Sequence, residues 1–511
     1  MQTNKSKVVF KNYNFNQNLL LPPSLEELIS PNHPVRVVNQ VVDNLNLDSI
    51  LKKYEGGGCP AYHPRLMLKI LVYGYVTNLY SSRKIEQALH ENIHFMWLSG
   101  MSYPDHNTIN RFRSERLKGV LKEVFSQVVL LLVEHGHITL KEAYLDGTKI
   151  EANANKYTFV WGKAIKRSRE RIKNQLKELW NYAESVAKQE MEHNEPDDFE
   201  QIDAEKVSRT IEQIDKAIEG KEVDKKVKQK LNYAKRNWPD NLKKYAEQEK
   251  QMGNRNSISK TDPDATFMRM KEDHMLNGQL KPAYNWQIST QDQYILGYTL
   301  HQTTADTATL PAHIESLKEN LKEIPEVLVA DAGYGSQENY EYLENNGVEA
   351  YVKFNNFHRE QTKKWKENLH RIENLYYNKE LDCYYCPMGQ AMEYIGNAKK
   401  KTRLGYIQDL KRYQAKNCNG CPMRGPCHKA VGNRIVEVNP KLVRYKQMVR
   451  EKLHSELGLQ YRSQRPADVE AVFGNIKYNH HFKRFLLRGL EKTEIEVGLI
   501  SMAQNLRKMA N

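Results

Sequence analysis

Three carboxylates far apart in this chain have the surroundings to act together. Asp146 sits in Glu142-Ala-Tyr-Leu-Asp-Gly-Thr-Lys-Ile-Glu-Ala152, a run that reads as a strand. Asp331 ends the apolar stretch 326–331 and precedes the Gly333-Tyr-Gly335 turn. Glu470 lies beside Val469, Val472, Phe473 and Ile476, whose spacing makes the apolar stripe of a helix. A first strand, the end of a later buried strand and a helix margin can converge at one sheet edge, where α/β sheets gather ligands. Carboxylates brought that close repel and raise one another's pKa. A hard divalent cation, Mg2+ or Mn2+, relieves the repulsion. Two such ions about 3.5–4 Å apart would activate an attacking oxygen and stabilise a leaving one in phosphodiester cleavage. Taken singly, Asp331 is a turn residue, Asp146 a strand-end residue and Glu470 a surface carboxylate; the matching topology joins them into a site.

Cysteine supplies a second constellation. Of six cysteines, Cys59 stands apart, while Cys383-x2-Cys386 and Cys418-x2-Cys421-x5-Cys427 lie close together, with His428 adjacent. In a reducing compartment such knuckles read as zinc ligands rather than disulfides. The spacing predicts one tetrahedral Zn2+ on Cys383, Cys386, Cys418 and Cys421, with Cys427 or His428 as a substitute. Unligated buried cysteines are the alternative.

The elements that must position these groups follow from periodicity. Residues 1–20 read as a loose polar arm, and a helical region runs to about 137. Within it, 64–75 is a nearly all-apolar buried helix, Ser82 heads another, and Asp105 caps a third that carries Arg111, Arg113 and Arg116. A compact helical unit ending in a basic helix suits a helix-turn-helix-like DNA contact, against a purely structural helical domain. Residues 160–255 are densely charged. Ile172, Leu176, Leu179, Ala183 and Val186, then Val207, Ile211, Ile214 and Ile218, step by four and three, a coiled-coil seam. Breaks are expected near Glu195-Pro-Asp-Asp198 and Trp238-Pro-Asp240. So narrow a stripe should pack as a hairpin or against a second chain.

A β-hairpin around Gln291-Asp-Gln293, a helix at 310–321, a strand at 326–331, a helix capped by Ser336 and a strand at 348–354 come next. Residues 355–455 read as Lys/Arg-rich loops around the cysteines, Arg465-Pro466 as a helix start, and 493–509 as a final helix. The organisation is thus an all-α N-terminal domain at 1–137 and an α/β core assembled from 138–159, 256–354 and 456–511. A coiled-coil-like helical insertion at 160–255 and a small cysteine-rich, zinc-type insertion at 355–455 interrupt the core.

With 511 residues the chain can bury a large core. Its formal charge is +14, from 77 Lys+Arg against 63 Asp+Glu, and its pI is near 9.1, which points to a polyanionic partner. The longest apolar run, Val128-Val-Leu-Leu-Leu-Val133, is far short of a membrane span, and the first residues lack an apolar signal core. A cytoplasmic, nucleoid-associated protein with DNA as partner is the expectation.

Tyr144-Leu-Asp-Gly-Thr-Lys-Ile-Glu-Ala-Asn-Ala-Asn-Lys156, Val329-Ala-Asp-Ala-Gly-Tyr-Gly-Ser336 and Val469-Glu-Ala-Val-Phe-Gly-Asn-Ile-Lys477 resemble motifs of the DDE transposases of bacterial insertion sequences. The resemblance covers nearly the whole chain. It implies an RNase H-like catalytic core with Asp146, Asp331 and Glu470 as the triad holding two Mg2+ or Mn2+ ions. It also implies a Tyr…Arg…Glu…Lys signature in the last motif. Glu470 and Lys477 match its spacing and Arg465 is the arginine, while Tyr461 is set further from Arg465 than the usual pattern. In that family Lys477 would contact the terminal DNA phosphate. The activity implied is binding of the element's terminal inverted repeats, phosphodiester hydrolysis and joining of the freed 3′-OH to target DNA, in a dimer or larger assembly. A metal-dependent nuclease without strand transfer, and a DNA-binding regulator with an inactive core, are the rivals.

Overall fold

The helix Pro64–Val76 is apolar on almost every face, so it has to be covered on all sides. In the computed structural model, which describes residues 23–55, 60–188, 199–270, 278 and 280–510, it is. The helix Pro34–Asn44 packs on one side and the C-terminal helix Leu490–Met509 on another. Buried residues from these helices and from the main sheet form one continuous cluster. The N-terminal helices therefore share a core with the α/β unit. The polar arm at 1–20, Cys59 and the break expected near Glu195 lie outside the described residues.

The strands, in chain order, are β1 (Glu142–Glu151), β2 (Phe159–Trp161), β3 (Ser257–Ser259), β4 (Thr266–Arg269), β5 (Leu280–Gln291), β6 (Tyr294–His301), β7 (Val327–Gly335) and β8 (Glu349–Phe354). The main sheet has the order β4-β5-β1-β7-β8, with β6 also on β5. β1 runs antiparallel to β5 and parallel to β7, and β7 runs parallel to β8. Asp292 and Gln293, both with positive φ, make the two-residue turn between β5 and β6, matching the twist of the strands. The helix Leu310–Leu321 covers β6, and Ser336 caps Gln337–Asn345 by accepting from Asn339 N at 3.1 Å.

Among the described residues, the charged insertion has the helices Gly162–Val186, Ala204–Ala217 and Lys225–Met252 around its own core of Ile172, Leu176, Trp180, Ile211, Ile214 and Trp238. The seams pair within the chain. Trp238-Pro-Asp240 does not break the third helix: Leu231, Ala234, Trp238 and Leu242 keep one buried stripe across Pro239, and that packing outweighs the lost N–H. The turn comes earlier, at 219–224.

Residues 355–455 are more ordered than loops. Strands β9 (Tyr377–Asn378), β10 (Cys383–Tyr385), β11 (Ala391–Lys401), β12 (Ile407–Ala415) and β13 (Ile435–Val438) form an antiparallel sheet around Leu375, Met392, Tyr413 and Val436. Its alternation was hidden by lysines and arginines along β11, which is mostly exposed, and by the few apolar positions that β12 buries, Leu410, Tyr413 and Ala415. After the helix Pro440–His454, a helical run from Glu456 to Asn479 carries Glu470. Arg465-Pro466 does not start it. The helix Glu456–Arg465 passes directly into a π-turn, Pro466–Glu470, because the proline ring cannot sit in an α-helical interior without widening it.

Candidate active site

Parallel register brings the two aspartates together. Leu145 pairs with Ala330, so the next residues, Asp146 and Asp331, lie on adjacent strands. Asp146 is buried, whereas Asp331 is half-exposed and its Oδ1 accepts from Gly333 N at 2.8 Å. Glu470 reaches the same place from the helical run. Arg465 Nη2 lies 3.2 Å from Asp146 Oδ1, and its Nη1 donates to Glu470 Oε1 at 2.6 Å. Arg465 and Glu470 are five apart, a spacing that an α-helix would splay and a π-turn, with its i→i+5 repeat, brings onto one face. The same turn is pinned to the sheet by Asp468, whose carboxylate accepts from Thr290 Oγ1 and from Gln293 N. Arg465 thus neutralises one buried and one exposed carboxylate and fixes their separation.

Polar residues that the sequence reading missed line the floor of this centre. Asn285 and Gln287 project from β5, fully buried, and the Tyr334 hydroxyl donates to Gln287 Oε1. Burial holds the Tyr334 phenol far above its usual pKa, and the nearby charges of Asp146, Asp306 and Asp331 push the same way. Gly147 pairs with Gln287 across the strands, and a Cβ there would fall 2.2 Å from Gln287 Nε2. Hence glycine follows the aspartate. The signal in the sequence was Asn285, Gln287 and Ser289 at every second position of a strand whose other face is apolar, which is costly unless the polar groups are paired. Lys353, on β8, is a further cation near Asp331 and Glu470; burial lowers its pKa first, then Arg465 and Arg462.

Lys477 is buried on the second π-turn, Asn475–Asn479. Tyr461 stands away from the carboxylate centre, packed against Tyr144 and Tyr351 with Glu142 beside its hydroxyl. The oxygen donors suit a hard divalent cation. As placed, Arg465 stands between Asp146 and Glu470, and among the described residues no group of three or more His, Cys, Asp or Glu side chains gathers to hold a metal.

Four thiols, those of Cys386, Cys418, Cys421 and Cys427, line one pocket with His428 and Arg434. Arg434 N donates to Cys418 Sγ at 3.3 Å and its Nη1 to Cys427 Sγ at 3.0 Å. Cys383 is not among them: it is buried on β10. All five described cysteines are free thiols.

The three arginines proposed for DNA diverge. Arg111 is exposed. Arg116 is half-buried over the Tyr54 ring, 4.5 Å from its centroid. Arg113 is withdrawn inside, where Nη1 donates to Tyr80 O at 2.8 Å and Tyr75 Oη at 3.2 Å and Nη2 to Asn110 Oδ1 at 3.0 Å. Its face of the turn meets the core rather than solvent.

Comparison with known families bears on both ends of the chain. Residues 385–510 match a transposase DDE domain, and residues 23–115 match a transposase domain, DUF772. These matches support a DDE transposase of the insertion-sequence type. The first match contains Arg465, Glu470 and Lys477 but neither aspartate; the second contains Arg111 and Arg113 and stops before Arg116. No curated protein matches the chain. No helix among the described residues is long and apolar enough to cross a membrane.

Proposed function

We propose that this transposase binds the terminal inverted repeats of its element, hydrolyses phosphodiesters with divalent metal and joins the 3′-OH ends to target DNA. One observation carries the reading: Asp146 and Asp331 stand side by side on parallel strands, and Arg465 ties Asp146 to Glu470 from a π-turned helix. The six-stranded sheet, with β4 and β6 antiparallel to β5, β5 antiparallel to β1, and β7 and β8 continuing parallel to β1, supports an RNase H-like core. Asp146, Asp331 and Glu470 would hold Mg2+ or Mn2+, which supplies nucleophile activation and leaving-group stabilisation. Arg465 keeps the buried Asp146 charge compensated and aims Glu470. Lys477 steadies the DNA end, and the exposed Arg111 contributes to phosphate binding. In the β-rich module, soft thiolates suit a structural zinc, and Cys386, Cys418, Cys421 and Cys427 are the set that shares a pocket. Holding two ends at once calls for a dimer or larger assembly on DNA.

The test is cleavage of a terminal-repeat duplex in Mg2+, run beside a binding assay. Asp331→Asn should abolish cleavage and strand transfer while leaving terminal DNA bound. Near-normal cleavage by that variant would refute the mechanism.

A further inference from the structure

Asp306 belongs to none of the motifs, yet it opens the 3-10 turn Asp306–Ala308 directly beside the Asp331 turn. Its Oδ1 accepts from Asn285 Nδ2 at 2.7 Å and from Gln287 Nε2 at 3.1 Å. Gln287 Nε2 also donates to Asn285 Oδ1 at 3.0 Å, and Gln287 Oε1 takes the Tyr334 hydroxyl, so one network runs from Asp306 to the residue before Gly335. Thr307 Oγ1 donates to Gly333 O at 2.7 Å. The position of a Cβ on Gly333 lies 2.9 Å from Asp331 Oδ1 and 3.6 Å from Asp306 Oδ2, so the two carboxylates border a single point. A neutral asparagine would satisfy the same two amides. A second charge there is opposed by Asp331 and has to be offset by something. Charges held against such a cost concentrate where chemistry needs them.

We infer that Asp306 is a positioning residue of the catalytic centre: with Thr307 it clamps the Asp331–Gly333 turn, and it adds its own charge at the point where Asp331 acts. This rests on the triad reading above.

Two variants separate its parts. Asp306→Asn keeps the acceptor for both amides and removes the charge; Thr307→Val removes the clamp on Gly333 and keeps the charge. Each is assayed for cleavage of a terminal-repeat duplex across a Mg2+ titration, for binding of that duplex in chelator, and for melting temperature. Asp306→Asn should need roughly tenfold more Mg2+ for half-maximal cleavage, the scale set by one charge beside a partly buried divalent ion, whereas Thr307→Val should lower cleavage at saturating Mg2+ while its Mg2+ requirement stays near the parental one. Binding and melting should stay as in the parent. Asp331→Asn runs alongside. If it is inactive while Asp306→Asn keeps the parental Mg2+ requirement, the inference fails and the triad stands. If Asp331→Asn cleaves normally, the triad fails and takes the inference with it. A loss of cleavage that tracks lowered melting or binding makes Asp306 merely structural and also overturns it.

Discussion

Arg465 answers two carboxylates at once, and its own side chain is only 7% exposed. Arg465→Gln takes the guanidinium from between Asp146 and Glu470, and breaking a buried ion pair of this kind costs about 3–5 kcal/mol. Urea unfolding should show that loss, and cleavage should fall with it; unchanged stability would mean that Asp146 is solvated by other means. Gly147→Ala tests the strand beneath. Its Cβ would displace the Gln287 amide, an overpacking cost of about 1–3 kcal/mol that should appear in the same measurement. Periodicity placed Asp146 and Asp331 on strands and Glu470 on a helical run, but both strands continue beyond their aspartates, to Glu151 and Gly335. Arg465 was legible as a residue type in a motif but not as a bridge, since only the π-turn makes a five-residue spacing meet. The cysteines show the opposite limit. Spacing favoured Cys383, yet Cys383 is buried on β10 while Cys386 lies in the turn after it and lines the pocket of the other thiols. With zinc bound, Cys427→Ser should lose the metal in elemental analysis and Cys383→Ser should keep it.

At the scale of elements, the helix Leu310–Leu321 meets β6 through buried histidine. Thr299 Oγ1 lies 2.9 Å from His313 Nδ1 and 2.8 Å from His301 Nε2. Burial lowers His313 to about 3 and His301 to about 4, so neither takes up a proton in the folded chain until well below its ordinary 6.5. The unfolded chain does so below 6.5. Stability is therefore complete above that pH and falls as pH drops towards 4 and then 3, by about 1.4 kcal/mol per unit for each histidine. The urea midpoint should be clearly lower at pH 5.5 than at pH 7.5, and His313→Asn should remove one histidine's share of the difference. A pH-independent midpoint would mean that both rings are solvated. Strand and helix positions were readable here because apolar period survives such substitutions. Pro239 was misread because a proline signals a break only where no packed stripe crosses it.

The molecule as a whole has one large core, and the helical insertion and the cysteine-bearing sheet each have a smaller one of their own. The N-terminal helices are part of that large core: Arg113 donates to Tyr75 Oη and is acted on by the charge of the fully buried Glu496 of the C-terminal helix, 383 residues further along the chain, a pairing no local pattern reveals. Arg113→Ala should cost about 3–5 kcal/mol, whereas Arg111→Ala should change stability by less than about 0.5 kcal/mol and weaken DNA binding with a flatter salt dependence. The helical insertion behaves differently. Its apolar side chains form their own cluster, and its two ends meet at the β2–β3 pair, where Trp161 faces Ser257 and Gly162 N donates to Asn256 O at 3.0 Å. Chain entering and leaving at one point can be cut without opening the core, since closing a short loop there costs little entropy. Replacing 163–252 by a short Gly-Ser linker should leave the remaining chain folded, with an unfolding free energy within about 1–2 kcal/mol of the parent; what is lost at the base includes the small Ile165–Met252–Ile258 cluster and the hydrogen bonds of Arg255 to the carbonyls of Gln251 and Met252. The excised segment should unfold as a separate helical unit when followed by circular dichroism. A truncated chain that aggregates or loses its cooperative transition would show that the insertion supports the sheet. If the truncated chain folds, cleaves single ends and fails only to pair two of them, the insertion's charged faces belong to the assembly on DNA rather than to the fold.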